Sequence, residues 1–405
     1  MLPVHKAVAA AVAKKLFMPI ALIFSFVTLT YSQILPKQEL QVNLSGYFDN
    51  FNVNVIYPSI SLTRNLSDNT SITGRYLVDM ITAASIKSNS GTSTNSGGGE
   101  EDFNKLQKYK SKYQSVDAVT AASGRGGGGE GISFDDVRNE FNLGITQLIG
   151  KGLLSFNGIH SSERDYTSNT VAGTFQQFFA KNDASFQLGL VKSWDNVFPR
   201  TKSWTKNKNV FTISTNFSQI ISKSLILQLL ASYTRNSGLL ADVYKQVTLT
   251  DGTKIDPVHP DLRIRRSSAL KLKYRISSSS SLETGYRYYW DSWDIKSHTI
   301  DLNYMKYLSR NVILSLGLRT YSQSRAFFFQ PSYTSERKFR TVDIKLDSGH
   351  STEYQIGFIF LKNDNLEYDL NLNLYSRHST TPYWFNNKNN LFATNFNIGL
   401  RYSFK

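Results

Sequence analysis

A short polar stretch in the first half of the chain places a serine, a histidine and two carboxylates side by side. It reads His160-Ser161-Ser162-Glu163-Arg164-Asp165-Tyr166-Thr167-Ser168. Serine, histidine and a carboxylate are the residue types of a hydrolytic triad, in which histidine accepts the serine proton. Neighbours on a strand point to opposite faces, so the spacing favours a polar strand end with a turn over an assembled triad. A hydrolase acting through His160 and Ser162 is the alternative; we expect no enzyme.

Metal binding and phosphate binding are the other chemistries that the residue types suggest. Glu163 and Asp165 carry the oxygen ligands that divalent cations prefer, but their spacing matches no recognised ligand motif. A glycine run at 126–131 lacks the strand, the Gly-Lys-Thr and the helix of a phosphate-binding loop. It closes an interval rich in Ser, Gly, Thr and Asn, so we predict a low-complexity extracellular loop over 86–132.

An octad repeat flanks that interval. Val-Asp-Met-Ile-Thr-Ala-Ala-Ser at 78–85 returns as Val-Asp-Ala-Val-Thr-Ala-Ala-Ser at 116–123, with six of eight residues identical. One explanation is packing, because Asp and Thr cap turns and alanines allow close approach.

The octad also resembles the acceptor motif to which a periplasmic flavin transferase attaches FMN through a phosphoester on the last hydroxyl. That resemblance implies Ser85 and Ser123 as acceptors, with Asp79 and Asp117 as the motif carboxylates. Alanine stands at 83 and 121, where the motif usually has glycine. Covalent FMN is therefore an expectation that mass spectrometry of the mature protein tests.

The elements that carry these residues alternate with period two. In the last stretch, Phe396, Ile398, Leu400, Tyr402 and Phe404 are apolar, and the residues between them are small, polar or charged. Such alternation predicts a strand with two chemically opposite faces. The same test predicts strands at 42–48, 53–63, 72–80, 137–149, 152–163, 169–180, 183–192, 209–219, 225–234, 270–276, 282–290, 300–304, 312–318, 354–360, 366–374 and 396–404.

The number of strands decides which face meets which solvent. A ring of about sixteen strands, with fourteen to eighteen allowed, cannot fill its centre with side chains, so polar faces line a lumen and apolar faces meet lipid. On 137–149 we therefore expect Phe141, Leu143 and Ile145 outward and Arg138 and Glu140 inward. The predicted fold is all-β, a single transmembrane antiparallel up-and-down barrel. Short turns face the periplasm, and long loops lie outside.

Composition and the first residues fit an exported chain. The 405 residues contain no cysteine, which excludes disulfides, thiolate metal sites and a catalytic thiol. Basic residues followed by an apolar run predict a signal peptide over 1–32 and a mature barrel over 33–405. The net charge of +15 lies in loops and on inward faces. Without a basic block carrying interleaved aromatics, we expect outer-membrane lipid and lipopolysaccharide as partners and no nucleic acid.

A third cluster, Tyr286-Arg287-Tyr288-Tyr289-Trp290-Asp291-Ser292-Trp293, is interpreted as an aromatic girdle that meets a tight outer turn. Together with the octads and the 161–168 stretch, it resembles an uncharacterised family of bacterial outer-membrane barrels, domain of unknown function three-five-seven-zero. Members are similar to proteins encoded beside flavin transferases, small lipoproteins and thioredoxin-like proteins. The resemblance therefore implies an extracytoplasmic redox assembly with such partners.

The favoured function is a non-enzymatic barrel in the outer membrane of a Gram-negative bacterium. It would act as a pore, or as a sheath for a transport or extracytoplasmic redox partner. The alternative is an adhesion or scaffold protein that binds through its long loops.

Overall fold

A closed antiparallel barrel makes up most of the computed structural model, which describes residues 35–50, 53–83, 136–381 and 390–404. Sixteen of the described strands form the wall. They are β1 Glu39–Asp49, β2 Val53–Ser67, β3 Thr70–Ala83, β4 Asp136–Ile149, β5 Gly152–Ser162, β6 Tyr166–Phe179, β7 Ala184–Val197, β8 Lys206–Ser222, β9 Leu225–Gly238, β12 Leu262–Ser277, β13 Ser280–Asp291, β14 Lys296–Ser309, β15 Val312–Gln323, β16 Gly349–Asn363, β17 Leu366–Ser379 and β18 Asn390–Ser403; β10 Val247–Thr248 and β11 Lys254–Ile255 form a small separate hairpin.

Each wall strand pairs with the wall strands before and after it in the chain, and the ring is closed by β1 and β18. Their register runs from Glu39↔Ser403 to Asp49↔Ala393. The predicted up-and-down barrel of sixteen strands is confirmed. The predicted signal peptide at 1–32 and the predicted loop at 86–132 lie outside the described residues.

Side chains on the wall are sorted as the alternation predicts. Phe141, Leu143 and Ile145 are 57%, 62% and 45% exposed on the outer face, whereas Glu140 and Asn142, which alternate with them, are buried. A water-soluble barrel would bury the apolar row instead. The outer face thus forms the apolar band that a membrane barrel presents to hydrocarbon.

Inward-facing charges pair across neighbouring strands. Arg319 of β15 contacts Asp301 of β14, with 2.6 Å from Nε to Oδ1, and Glu353 of β16, with 3.5 Å from Nη1 to Oε2. Arg75 of β3 lies 3.3 Å from Glu140 of β4. These cross-strand pairs stabilise the register where the side chains line the polar interior.

The two ends of the barrel differ. One end has tight turns such as 150–151 and 364–365; the other carries the connections 198–205, 239–261 and 324–348, and β3 and β17 end there. We name them the turn end and the loop end. Three connections at the loop end are short, namely those after β1, β5 and β13. The described part of the chain has two short 3-10 helices, Ala180–Asn182 and Ile344–Leu346, and no helix there is long and apolar enough to cross a membrane.

Connections 239–261 and 324–348 fold together at the loop end, and we name this unit the cap. Val258 and Arg340 exchange two backbone hydrogen bonds of 3.0 and 2.8 Å, which join the two connections. The cap is anchored by a buried aromatic and aliphatic core, in which side chains from β13 and the turn after it meet those of the 324–348 connection: Tyr289, Trp293, Ile295, Ala326, Phe328, Phe329 and Leu346. In this core apolar side chains face one another and are buried, whereas on the wall they are exposed on the outer face.

Candidate functional site at the loop end

Strand pairing brings two of the sequence motifs into contact. Asp79, from the first octad, lies on β3 directly opposite Arg138 of β4, and the two form an ion pair. Nε of Arg138 is also 3.9 Å from Oε1 of Glu163, which belongs to the polar stretch. One arginine therefore lies between carboxylates that are far apart in the sequence.

Two more carboxylates gather beside Glu163. Asp136 begins β4, two residues before Arg138 and on the same face, and Glu163 and Asp165 lie in the short connection between β5 and β6. One ligand atom from each residue can be chosen so that all three lie within 4.8 Å of one another. We name Asp136, Glu163 and Asp165 the carboxylate cluster; all three are buried.

Glu163 is the least satisfied member of the cluster. Its side chain is 1% exposed, and neither of its carboxylate oxygens accepts a hydrogen bond from the described residues. Burial raises the pKa of Glu163 to about 8, against the opposing effect of Arg138, and Asp136 and Asp165 raise it further. Without a further positive group, this carboxyl holds its proton at neutral pH.

Asp165 connects the cluster to the cap and to the neighbouring connection. Its carboxylate accepts a hydrogen bond from the hydroxyl of Tyr244 in the cap, and its carbonyl accepts one of 2.9 Å from the backbone N–H of Phe198. A change in the cluster would therefore act on two neighbouring parts of the loop end.

A second buried carboxylate nearby shows how the wall normally satisfies such a group. Asp195 of β7, also 1% exposed, accepts hydrogen bonds of 2.7 and 2.6 Å from the hydroxyls of Ser168 and Ser193 and lies 3.3 Å from Nζ of Lys208. Ser168 is the last residue of the polar stretch. That stretch therefore supplies Glu163 and Asp165 to the carboxylate cluster and a hydrogen-bond donor to Asp195.

The cap has its own buried ions. Nζ of Lys245 donates a hydrogen bond of 2.9 Å to Asp343, which joins the two connections of the cap. Although burial alone would raise it, Lys245 and Lys345 hold the pKa of Asp343 well below its ordinary value. Burial lowers the pKa of Lys345 to about 8. Hence the cap is fastened by an ion pair as well as by its apolar core.

The aromatic cluster at 286–293 is divided between the outer face of the wall and the core of the cap. Tyr286, Tyr288 and Trp290 alternate with buried residues on β13, and Tyr286 is 44% exposed, as an outer girdle requires. The tight turn after β13 is confirmed, but Trp293 packs into the core of the cap at 3% exposure. Asp291 holds this turn by accepting hydrogen bonds from the backbone N–H groups of Trp293 and Ile295, at 2.8 and 3.0 Å.

The polar stretch 160–168 divides its side chains among different surroundings. His160 is on the outer face, where its Nδ1 lies 2.8 Å from Oδ1 of Asn169, while Ser161 is buried and Glu163 joins the carboxylate cluster. The interpretation as a polar strand end with a turn is confirmed.

Of the predicted flavin-motif residues, only Asp79 lies within the described residues, where it is buried and paired with Arg138. Ser85, Ser123 and Asp117 lie outside them. Covalent FMN stays a prediction.

Sequence reasoning missed Asp136, Tyr244 and Asp343. One signal was available for Asp136, since it precedes the inward Arg138 by two residues and must share its face. Tyr244 and Asp343 lie in connections whose positions depend on how two distant segments pack, which no local pattern indicates.

These motifs agree with a comparison at the family level. The family model described as "Protein of unknown function (DUF3570)" matches residues 25–205 and 198–380. The chain belongs to the DUF3570 family. The matched residues include the first octad, the polar stretch with its cluster and the aromatic turn, so the predicted family is confirmed.

No curated protein matches the DUF3570 chain. Solved structures similar to it include a bacterial polysaccharide outer membrane secretin, at 8% identity and a TM-score of 0.49, covering 92% of this chain and 100% of that one. Another is a loop-deletion mutant of OmpT, an outer membrane protein of Vibrio cholerae, at 9% identity and a TM-score of 0.44, covering 90% and 98%.

The siderophore receptor PirA from Pseudomonas aeruginosa is similar at 9% identity and a TM-score of 0.43. That match covers 85% of the DUF3570 chain and 57% of the receptor, so the chain spans little more than half the receptor's length.

Proposed function

We propose that this DUF3570 protein is an integral outer-membrane barrel of a Gram-negative bacterium. It would serve as a conduit, or as a sheath for a transport or extracytoplasmic redox partner. The observation that carries the proposal is the inverted wall: Leu143 and its row are exposed, whereas Glu140 and its row are buried. Only a molecule with hydrocarbon outside and water or a polar partner inside is stabilised by this arrangement.

The presence of the cap favours a conduit whose opening is controlled, as opposed to a pore that is permanently open. It is built from connections 239–261 and 324–348, whose apolar core and Lys245–Asp343 ion pair hold them together at the loop end. Loops that fold over the mouth of a large barrel restrict what enters its lumen. The proposed passage therefore opens when the cap moves.

A disulfide lock tests this proposal because the chain has no native cysteine. Val258 and Arg340 are a doubly hydrogen-bonded antiparallel pair, and such pairs have a Cα separation of about 5.5 Å, within the range that a disulfide spans. We would purify the Val258→Cys, Arg340→Cys double variant and measure its conductance in planar bilayers, oxidised and reduced. The two single variants are the controls for losing either side chain.

Conductance that rises on reduction in the double variant alone supports a conduit closed by the cap. No current in either state supports the sheath, with a lumen filled by a partner. A mature chain that remains soluble without detergent and does not partition with the outer membrane contradicts the whole proposal.

The partners remain proposals as well. Outer-membrane lipid and lipopolysaccharide would surround the apolar band. A periplasmic flavin transferase, a lipoprotein or a redox protein would act at the turn end or in the lumen. Purification from intact outer membranes, followed by flavin and haem staining, tests for the redox partner.

A further inference from the structure

We propose that the carboxylate cluster Asp136, Glu163 and Asp165 binds a hard divalent cation, with Ca²⁺ the best fit. One ligand atom from each carboxylate lies within 4.8 Å of the others. Because Ca²⁺ binds oxygens at about 2.3–2.6 Å, oxygens on opposite sides of one ion are about 5 Å apart. The three groups are thus close enough to share a single ion.

The second observation is the state of Glu163. Its side chain is 1% exposed, yet neither oxygen accepts a hydrogen bond within the described part of the chain. Buried polar groups almost always have a partner, and leaving one without a partner is unfavourable, more so if the group is charged. Asp195 is buried to the same extent and receives two hydroxyl hydrogen bonds and a lysine.

Among the described residues, Arg138 is the cation within ion-pair distance of Glu163. It pairs closely with Asp79, and its Nε remains 3.9 Å from Oε1 of Glu163. A bound cation among the three carboxylates would give Glu163 the close positive partner that the described part of the chain does not provide.

The donor set selects the kind of ion. All three ligands are carboxylates, and the cluster includes neither histidine nor cysteine. Oxygen ligands favour Ca²⁺ and Mg²⁺ over Zn²⁺ and Cu²⁺. Of the two, Ca²⁺ tolerates an irregular set of ligands completed by water, whereas Mg²⁺ requires near-ideal octahedral geometry.

Such an ion would brace the loop end. Asp136 begins β4, Glu163 and Asp165 lie between β5 and β6, and Asp165 accepts the hydroxyl hydrogen bond of Tyr244 from the cap. One ion would thereby hold two wall connections and one side of the cap in place.

The test uses the full mature chain, refolded into a zwitterionic detergent so that no lipopolysaccharide is present to bind cations itself. After removal of metals with EDTA, CaCl₂ and MgCl₂ are titrated by isothermal calorimetry. We expect one Ca²⁺ per chain, weaker Mg²⁺ binding, and a loss of Ca²⁺ affinity of at least about tenfold in Glu163→Gln. Asp301→Asn, which removes an inward carboxylate of β14 that is paired with Arg319, is the matched control and retains the affinity.

A measurement on the unmodified protein guards against a variant that fails to fold. Tb³⁺ replaces Ca²⁺ in oxygen sites, and its emission is sensitised by nearby tyrosines such as Tyr244. We expect tyrosine-sensitised emission that Ca²⁺ displaces. The absence of both a calorimetric Ca²⁺ signal and displaceable emission overturns the site, and so does an affinity that Glu163→Gln leaves unchanged.

Discussion

The wall and the cap of this barrel use the same apolar residue types in opposite ways. On the wall, Leu143 is 62% exposed beside a buried asparagine, whereas Trp293, in the turn after β13, is 3% exposed in the apolar core that anchors the cap. The wall is stabilised where hydrocarbon covers it, and the cap is stabilised by its own contacts in water. The two parts therefore have separate sources of stability, and we expect the cap to open without unfolding the barrel.

Removing Trp293 from the apolar core that anchors the cap should have the largest effect on the stability of the cap. Trp293→Ala deletes a buried indole that packs against Phe328, and we expect the cap to lose about 3–5 kcal/mol. Trypsin would then cleave at Arg337 or Lys338 much faster than in the wild type. The folded barrel, followed by its mobility in unheated SDS gels, should remain.

Trp194→Ala is the matched control, because Trp194 is 48% exposed on the outer face. It should leave the trypsin rate unchanged. Equal acceleration in both variants would contradict the separation of cap and wall.

A charge placed on the apolar band should destabilise the wall and leave the cap unaffected. Leu143→Arg places a guanidinium near the middle of β4, where lipid contact makes it cost about 2–4 kcal/mol. Urea unfolding in lipid vesicles should show this loss, while trypsin cleavage of the cap stays as in the wild type. Leu143→Phe keeps the site apolar and should behave nearly as the wild type does; a similar loss there would point to packing and not to hydrocarbon.

Asp347 anchors the end of the cap to β17, and its loss should have a slightly smaller effect. Its carboxylate accepts hydrogen bonds of 2.7 Å from Arg325 and 2.8 Å from Ser379. Although burial alone would raise it, hydrogen bonds from Thr381, Ser379 and Arg325 hold the pKa of Asp347 below its ordinary value. Asp347→Asn should cost about 2–3 kcal/mol, since Arg325 is partly exposed and screened by water. Faster trypsin cleavage of 324–348 measures it, with Asp364→Asn at the turn end as the neutral control.

Acidification should weaken the cap and leave the wall intact. Burial lowers the pKa of His259 from 6.5 to about 4. Its Nδ1 donates to the carbonyl of Leu240. The opened cap takes up a proton at the ordinary pKa and the closed cap only near the lowered one, so the stability of the cap is lost as the pH falls between them. At pH 5 the loss should be about 2 kcal/mol.

Trypsin cannot be used at low pH, so pepsin or hydrogen exchange of the cap reports this change. Charged groups facing the ring include Asp343, which opposes the shift, and Lys245 and Arg263, which add to it. His259→Phe keeps the ring contacts with Trp293 and should remove the pH dependence. An unchanged dependence in that variant would assign the effect to other groups.

The wall could be predicted from the sequence almost completely, because alternation is a local signal. All sixteen predicted strands are present, but several are longer than predicted: β12 runs from Leu262 to Ser277 against a prediction of 270–276. The first residues of β12, including Arg263 and Arg265, lie beyond the apolar band. Polar residues occupy both faces of the strand there, so the alternation of apolar and polar residues disappears. Pro58 lies inside β2, within the predicted strand 53–63, and the pairing with β3 skips it, since proline has no N–H to donate.

The site was predictable only in part, because its members meet across strands. Glu163 and Asp79 stood out within their own motifs, but their shared contact with Arg138 depends on the register of β3, β4 and β5. A slip of one residue would turn each of them to the other face. The cap depends on contacts such as Lys245 with Asp343, which lie 98 residues apart, and these are beyond any local pattern.

The pairing of β1 with β18 has a consequence for how the molecule is assembled. Asn50 and Asn390, which meet at this junction, are 340 residues apart in the chain, whereas every other wall contact joins successive strands. Until these two meet, both flanking strands carry a row of unsatisfied backbone groups that hydrocarbon cannot accommodate. Closing the cylinder and entering the bilayer are therefore expected to be coupled events.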